Sequence, residues 1–214
     1  TVPSGKKEII TKIKKESEIK DVLTMMLNEI KKGHQIYVVA PLIEESDKSN
    51  LTDIENLYKN LETALGKVCK LGLLHGKMSN KEKTEVMEKF KNNEIQILVS
   101  TTDIEVGVDV KNATMMVIFD AFQFGLSALH QLRGRVGRND LQSYCVLVSE
   151  REVERLKILE ETNDGFKVSE EDFKMRGSGD IFGVRQSGDM AFRILNIKND
   201  FNILKAAKDD SEIF

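Results

Sequence analysis

Proline and cysteine each occur only twice in 214 residues, tryptophan is absent, and aromatic residues make up only 6% of the chain. With so few prolines, helices can run without interruption. Cys69 and Cys145 stand far apart in apolar stretches, with no CxxC or Cys/His cluster near them, which excludes a disulfide framework and a zinc site and reads as two reduced core thiols. No apolar run reaches membrane-spanning length and no signal peptide precedes the first element, so the cytoplasm is the expected compartment and no membrane partner is expected. Excess charge of one sign is also missing. Lys and Arg number 32 against 35 Asp and Glu, a net charge of -3, so any contact with nucleic acid must come from local patches or backbone amides.

A phosphate-binding P-loop is absent as well. Gly72-Leu-Leu-His-Gly76-Lys77-Met-Ser79 approaches that motif, but Leu71 stands where its first glycine belongs and Met78 replaces the magnesium-binding hydroxyl. There is no Asp-Glu-x-Asp/His box. Lacking both a P-loop lysine and an acidic magnesium ligand, the chain by itself is not expected to hydrolyse ATP. It opens on Thr1 rather than an initiator methionine, as expected of a piece of a longer protein.

What is present is a balanced composition, 40% hydrophobic and 31% charged, fit for a soluble globular α/β domain with a small appendage. Ile19, Val22, Leu23, Met26, Leu27 and Ile30 recur at helical spacing up to Gly33, and Gln35 to Ala40 follows as a β-branched run stopped by Pro41. The cycle repeats. Leu51, Ile54, Leu57, Tyr58, Leu61 and Leu65 mark a second helix before the apolar stretch Val68 to Leu74, and Ser79 to Glu82 reads as the capping box of a third helix burying Val86, Met87 and Phe90. Ile95 to Ser100, Met115 to Asp120 and Ser143 to Val148 read as further strands, with a helix from Leu126 to Arg135 between the last two. Such alternation predicts a mostly parallel sheet of about five strands with helices on both faces, whose ligands gather at the carboxyl ends of the strands. After Ser149 the pattern changes to a helical hairpin, Arg151 to Glu161 and Ser169 to Arg176, then a glycine-rich loop from Gly177 to Gly188 and a terminal helix near Phe201 to Ala207. The expected division is 1–149 and 150–214.

Gln131, Arg135 and Arg138 carry the strongest chemical signal. Their spacing predicts one helical face converging on one ligand, with two guanidinium groups suited to phosphate oxygens and with Gly134 and Gly137 clearing space for close approach. A second cluster follows the Ile95 to Ser100 run, where the hydroxyls of Thr101 and Thr102 suit a DNA phosphate and Asp109 suits an arginine or a ribose hydroxyl. His75 and Gly76, just past the Val68 to Leu74 run, have two readings, a nucleic-acid backbone contact or a structural turn.

In this order the segments resemble the second RecA-like domain of superfamily 2 helicases over nearly the whole chain. Ile36 to Ser46 is similar to motif IV, Thr101 to Asp109 to motif V, and Gln131 to Arg138 to motif VI. The resemblance implies that Arg135 and Arg138 act as arginine fingers on ATP with Mg2+, held mainly by a first motor domain that this chain lacks, and that Gln131, Gly107 and Asp109 lie on the nucleotide side. It also implies DNA contacts at His75, Gly76, Thr101 and Thr102. A narrower likeness to RecG-type helicases rests on Phe124 to Arg138, Asn163-Asp-Gly-Phe166 and Met175 to Gly188. It implies a C-terminal motor half that remodels branched duplex DNA, joined to upstream RecA-like and DNA-wedge domains, with Arg155, Arg176 and Gln186 coupling the motor to translocation. Asp103, where that family has an aliphatic residue, and Lys111, where it has proline, depart from the pattern. Two alternatives are a transcription-repair coupling translocase, whose hairpin is longer, and a non-catalytic DNA-binding module.

Overall fold

The computed structural model describes residues 7–41, 47–102, 110–138 and 140–179, and of residues 47–52 and 176–179 the backbone alone. Among these, six strands form one sheet: β1 (Ile10–Lys14), β2 (Gln35–Ala40), β3 (Leu71–Leu74), β4 (Ile97–Thr101), β5 (Ala113–Phe119) and β6 (Tyr144–Val148), in the order β1-β6-β5-β2-β4-β3. Every pairing is parallel. The helices are α1 (Ile19–Lys31), α2 (Asp47–Leu65), α3 (Asn80–Lys91), α4 (Leu126–Arg133), α5 (Val153–Glu161) and α6 (Gly165–Gly179).

The sixth strand is the one that hydrophobic patterning misses. β1 reads Ile-Thr-Lys-Ile-Lys, pairs only with β6 at the sheet edge, and is partly exposed, so lysines occupy positions that a central strand would fill with apolar side chains. In β2 and β5, by contrast, every residue is buried. Their side chains alternate between two cores because successive residues of a strand point to opposite faces. Ile36, Val38 and Ala40 pack with Leu23, Met26, Leu57 and Leu61 of α1 and α2. Tyr37 and Val39 join Phe90, Leu126, Leu129, Leu156, Leu159 and Val168 of α3 to α6 on the other face. Both cysteines are buried thiols outside any disulfide, one in each core. Val86 and Met87 are only half-buried, unlike Phe90, since α3 covers the exposed end of the sheet where β3 has no outer neighbour.

The capping box forms as expected, Glu82 N donating to Ser79 Oγ at 3.1 Å and Ser79 N to Glu82 Oε1 at 3.3 Å. In the hairpin the second helix begins at Gly165 rather than Ser169, because the Asp164 carboxylate accepts from Phe166 N at 2.9 Å and so caps the helix earlier. α6 continues through Gly177 to Gly179 as helix, not as the start of a loop. The remainder of the glycine-rich segment and the terminal 201–207 stretch lie outside the described residues. Among the described residues no helix is long and apolar enough to cross a membrane.

At the amino edge of the sheet, α1 is tied to β5 by a buried carboxylate. Glu29, 3% exposed, accepts from Thr114 Oγ1 at 2.6 Å, Lys32 Nζ at 3.1 Å and the His34 ring at 3.1 Å. Burial alone would raise its pKa, but the hydrogen bonds from Thr114, His34 and Lys32 outweigh it and hold the carboxyl below its ordinary 4.5. The resulting stability is present above that value and is lost as pH falls through the lower folded pKa. Glu29→Gln should therefore cost about 1–3 kcal/mol at neutral pH, and the cost should shrink as pH falls through the lowered folded pKa, as read by urea denaturation along a descending pH series; a cost that stays constant down to acid unfolding would rule out the ionised tie.

Candidate nucleotide and nucleic-acid interface

α4 leads from the carboxyl end of β5, by way of a 3-10 turn at Ala121–Gln123, back towards the amino ends of β6 and β1. Leu126, Leu129 and Arg133 form its buried face. Arg133 thus occupies the third apolar position of the stripe, and it is only 1% exposed. One guanidinium nitrogen donates to Thr11 Oγ1 of β1 at 3.0 Å and to the Leu159 carbonyl of α5 at 2.6 Å, and the other meets His130 Nδ1 at 2.7 Å. A guanidinium can only donate, so Nδ1 must accept and the imidazole is neutral, with its proton on Nε2. Burial first, and then the Arg133 charge, hold the His130 pKa below its ordinary 6.5, opposed by the weaker pull of Asp164. Gly165 lies against the same ring, where an added Cβ would come within 2.7 Å of Nε2. A side chain there would displace the imidazole.

The helix stops at Arg133, not Arg135, so Gln131, Arg135 and Arg138 do not share one helical face. Gly134 is the C-cap, Arg135 N and Val136 N bond back to the carbonyls of Leu132 and Arg133 at 3.1 and 3.2 Å, and Gly137 takes a left-handed φ of +77°. The physical reason is that Gly137 reverses the chain where an L side chain would be strained, and it does so against Ile9, whose Cγ1 would lie 2.8 Å from a Cβ. Buried Val136 anchors the turn. Arg135 is half-buried, whereas Arg138 is exposed and curls back to donate from Nε to the Gly134 carbonyl at 3.2 Å. Gln131 is exposed on the last turn of α4. The two glycines therefore shape a turn that presents the arginines.

The other residues singled out in the sequence lie elsewhere. Leu74 is paired with Ser100, which sets His75-Gly76 and Thr101-Thr102 side by side at the carboxyl ends of β3 and β4. His75 Nδ1 accepts from Lys77 N at 3.2 Å, Gly76 and Thr102 are exposed, and Thr101 is buried. The arginine turn is at the opposite, amino edge. Arg155 on α5 donates to the carbonyls of Phe122 at 2.8 Å and Phe124 at 3.0 Å, fastening the hairpin to the segment that enters α4. Arg176 lies in the last turn of α6, where the backbone alone is described; Gly107, Asp109 and Gln186 lie outside the described residues. Among the described residues no group of His, Cys, Asp or Glu could hold a metal ion.

The sequence assigned no individual role to four residues that have clear local ones, Arg133, His130, Asn163 and Asp172, although the first three stand in segments that carry the RecG likeness. The one available signal for Arg133 was its place on the apolar stripe of α4, where a charged residue requires partners. Asn163 tied the hairpin turn to the strand entrance, its side chain accepting from Ile9 N and donating to the Ile9 carbonyl, both at 3.0 Å. No local pattern marks such a contact.

The family model described as Helicase conserved C-terminal domain matches residues 14–140, more than half of the chain. The chain belongs to this helicase family. A second model, ATP-dependent DNA helicase RecG, domain 3, C-terminal, matches residues 162–213, which include α6. ATP-dependent DNA helicase RecG of Staphylococcus aureus (strain NCTC 8325 / PS 47) is 52% identical over 217 residues, covering 98% of this chain and 31% of that protein. The helicase segment thus spans about a third of the length of the curated relatives it matches. A solved structure of RecG bound to a three-way DNA junction is 37% identical, covers 96% of this chain and 27% of that one, and superposes with a TM-score of 0.69. Domain 2 of the DEAD-box helicase Mss116p, bound to an RNA duplex, is 17% identical over 72% of this chain and 61% of its own, with a TM-score of 0.53, and shares the RecA-like fold alone.

The lowered pKa of His130 makes the stability of this helicase domain sensitive to mild acid. Its contribution is present above about pH 6.5 and is lost as pH falls through the folded value, because the unfolded chain takes up the proton first. His130→Asn, which offers an amide oxygen near the place of Nδ1, should retain the Arg133 bond and flatten the dependence of Tm on pH between about 7 and about 5. An unchanged slope would show that His130 stays accessible to protons in the folded protein.

Proposed function

We propose that this chain is the C-terminal motor half of an ATP-dependent DNA helicase that remodels branched duplex DNA, as in fork reversal and Holliday-junction branch migration. One observation carries the reading: a rigid turn, shaped by Gly134 and Gly137 and anchored by Val136, presents Arg135 and Arg138 at the sheet edge away from His75, Gly76, Thr101 and Thr102. A nucleotide bound at one edge and DNA at the other would be joined through a sheet that moves as a plate. Arg135 and Arg138 are the arginine fingers, donating to phosphoryl oxygens as negative charge develops on them, and Gln131, Gly107 and Asp109 are further nucleotide-binding residues. ATP with Mg2+ is held mainly by the P-loop of an upstream RecA-like domain. This chain's own part is the cationic half of the pocket.

Exposed Gly76 and Thr102 offer a backbone amide and a hydroxyl to a DNA phosphate, with His75 beside them and Thr101 closing the strand end. The helicase fold divides functionally into 1–149, which carries both edges, and 150–214, which carries the translocation element. Arg155 grips the entrance to α4, and Arg176 and Gln186 act with it in coupling the motor to translocation. The match of residues 162–213 to RecG domain 3 supports branched DNA over the transcription-repair coupling reading. Its compartment is the cytoplasm.

In the full-length protein with branched DNA, Arg138→Ala should lower the rate of ATP hydrolysis by about 10²- to 10³-fold with little change in DNA affinity. Normal hydrolysis by the variant would remove Arg138 from the nucleotide site. For the translocation element, Gln186→Ala should leave DNA-stimulated hydrolysis measurable while strongly reducing fork unwinding, and equal loss of both would count against a coupling role.

A further inference from the structure

α4 begins without a cap of its own. Gly125 stands at its N-cap position in extended backbone with no side chain to accept from the first amides, which the geometry of any helix leaves without intrahelical partners. The acceptor comes from α6 instead. Asp172, 7% exposed, receives Leu126 N on Oδ1 at 3.3 Å and Ser127 Oγ on Oδ2 at 2.9 Å, so its carboxylate also faces the positive end of the α4 dipole. At the opposite end of α4, Gly165 at the start of α6 abuts His130, and Asn163 holds the turn to Ile9. The hairpin therefore holds the helix that leads into the arginine turn at both of its ends. Asp172 lies one turn before Arg176 on α6, on the path by which the chain leaves the hairpin.

We infer that Asp172 is a positioning residue, an interhelical cap through which α4, with its arginine turn, and the hairpin shift as one body when nucleotide is hydrolysed. This rests on the reading of Arg135 and Arg138 as nucleotide-facing. A cap serving α4 alone is most simply supplied by a serine or aspartate in place of Gly125; supplied from α6, it also fixes the distance and angle between the two helices. Loss of Asp172 has two separable consequences, a frayed start of α4 and a loosened hairpin. Only the first can be repaired from within α4.

The test is made in the full-length protein, with Asp172→Ala alone and combined with Gly125→Ser, which restores a cap in cis at backbone angles compatible with serine (φ −69°, ψ 157°). The double variant should hydrolyse ATP on branched DNA within about twofold of wild type yet unwind a model fork at least about tenfold more slowly. Recovery of unwinding along with hydrolysis would reduce Asp172 to a cap and overturn the inference. Amide hydrogen exchange at Leu126 and Ser127 gives a readout independent of activity. Faster exchange in Asp172→Ala supports the interhelical cap, and unchanged protection overturns it. Should the wild type hydrolyse no ATP, the helicase reading fails, while the exchange measurement still decides whether the cap exists.

Discussion

Arg133 is the charge around which this half of the molecule is assembled. Taking a guanidinium out of water costs several kcal/mol, and the cost is offset only when its donors find well-placed acceptors. Arg133 has three: a hydroxyl on the edge strand, a carbonyl at the end of α5 and a neutral imidazole on its own helix. Each lies on a different segment of the chain, so the bonds form only when β1, α4 and α5 are all in place. Burial accordingly holds the Arg133 pKa below its ordinary value, though a group with that starting point stays charged at any physiological pH.

From that centre the arrangement spreads outward in steps. His130 must be neutral to accept from Arg133, and its ring can sit where it does only because residue 165 is glycine. The hairpin turn then reaches the strand entrance through Asn163, Arg155 clasps the segment before α4, and Asp172 closes its amino end. An exposed pair such as Lys157 with Glu154 contributes little by comparison, because both partners remain hydrated. The buried polar contacts are few, directional and specific to one packing. They make the arginine turn and the hairpin parts of one body.

Separation of the two candidate surfaces follows from strand direction. In an all-parallel sheet each helix returns the chain to the amino edge, so a motif at the end of a helix and a motif at the end of a strand fall on opposite edges. Arg135 and Arg138 follow α4, whereas His75, Gly76, Thr101 and Thr102 follow β3 and β4. The expectation that ligands gather at the carboxyl ends of strands thus describes the second set and not the first. Gly134 and Gly137, which suggested close approach to a ligand, are explained at least as well by the need to end α4 and turn the chain against Ile9.

Much was legible from periodicity alone. The β-branched runs of β2 and β5, the helical stripes of α1 and α2 and the Ser79 capping box are local patterns whose physics acts within a few residues, and each appears where its pattern put it. The two cysteines were core residues because nothing nearby made them anything else. By itself the sequence determined the alternating α/β order, the resemblance to a helicase motor half and the absence of a P-loop. Tertiary structure alone decided that β1 is a strand, that Arg135 and Arg138 leave the helix that carries Gln131 for a turn, and that Arg133, Asn163 and Asp172 bind partners up to 154 residues away. The physical reason is the same in each case. A charged edge strand, a buried cation and a cap supplied by another helix are stable only through partners distant in the chain, and no local pattern encodes which partner that will be.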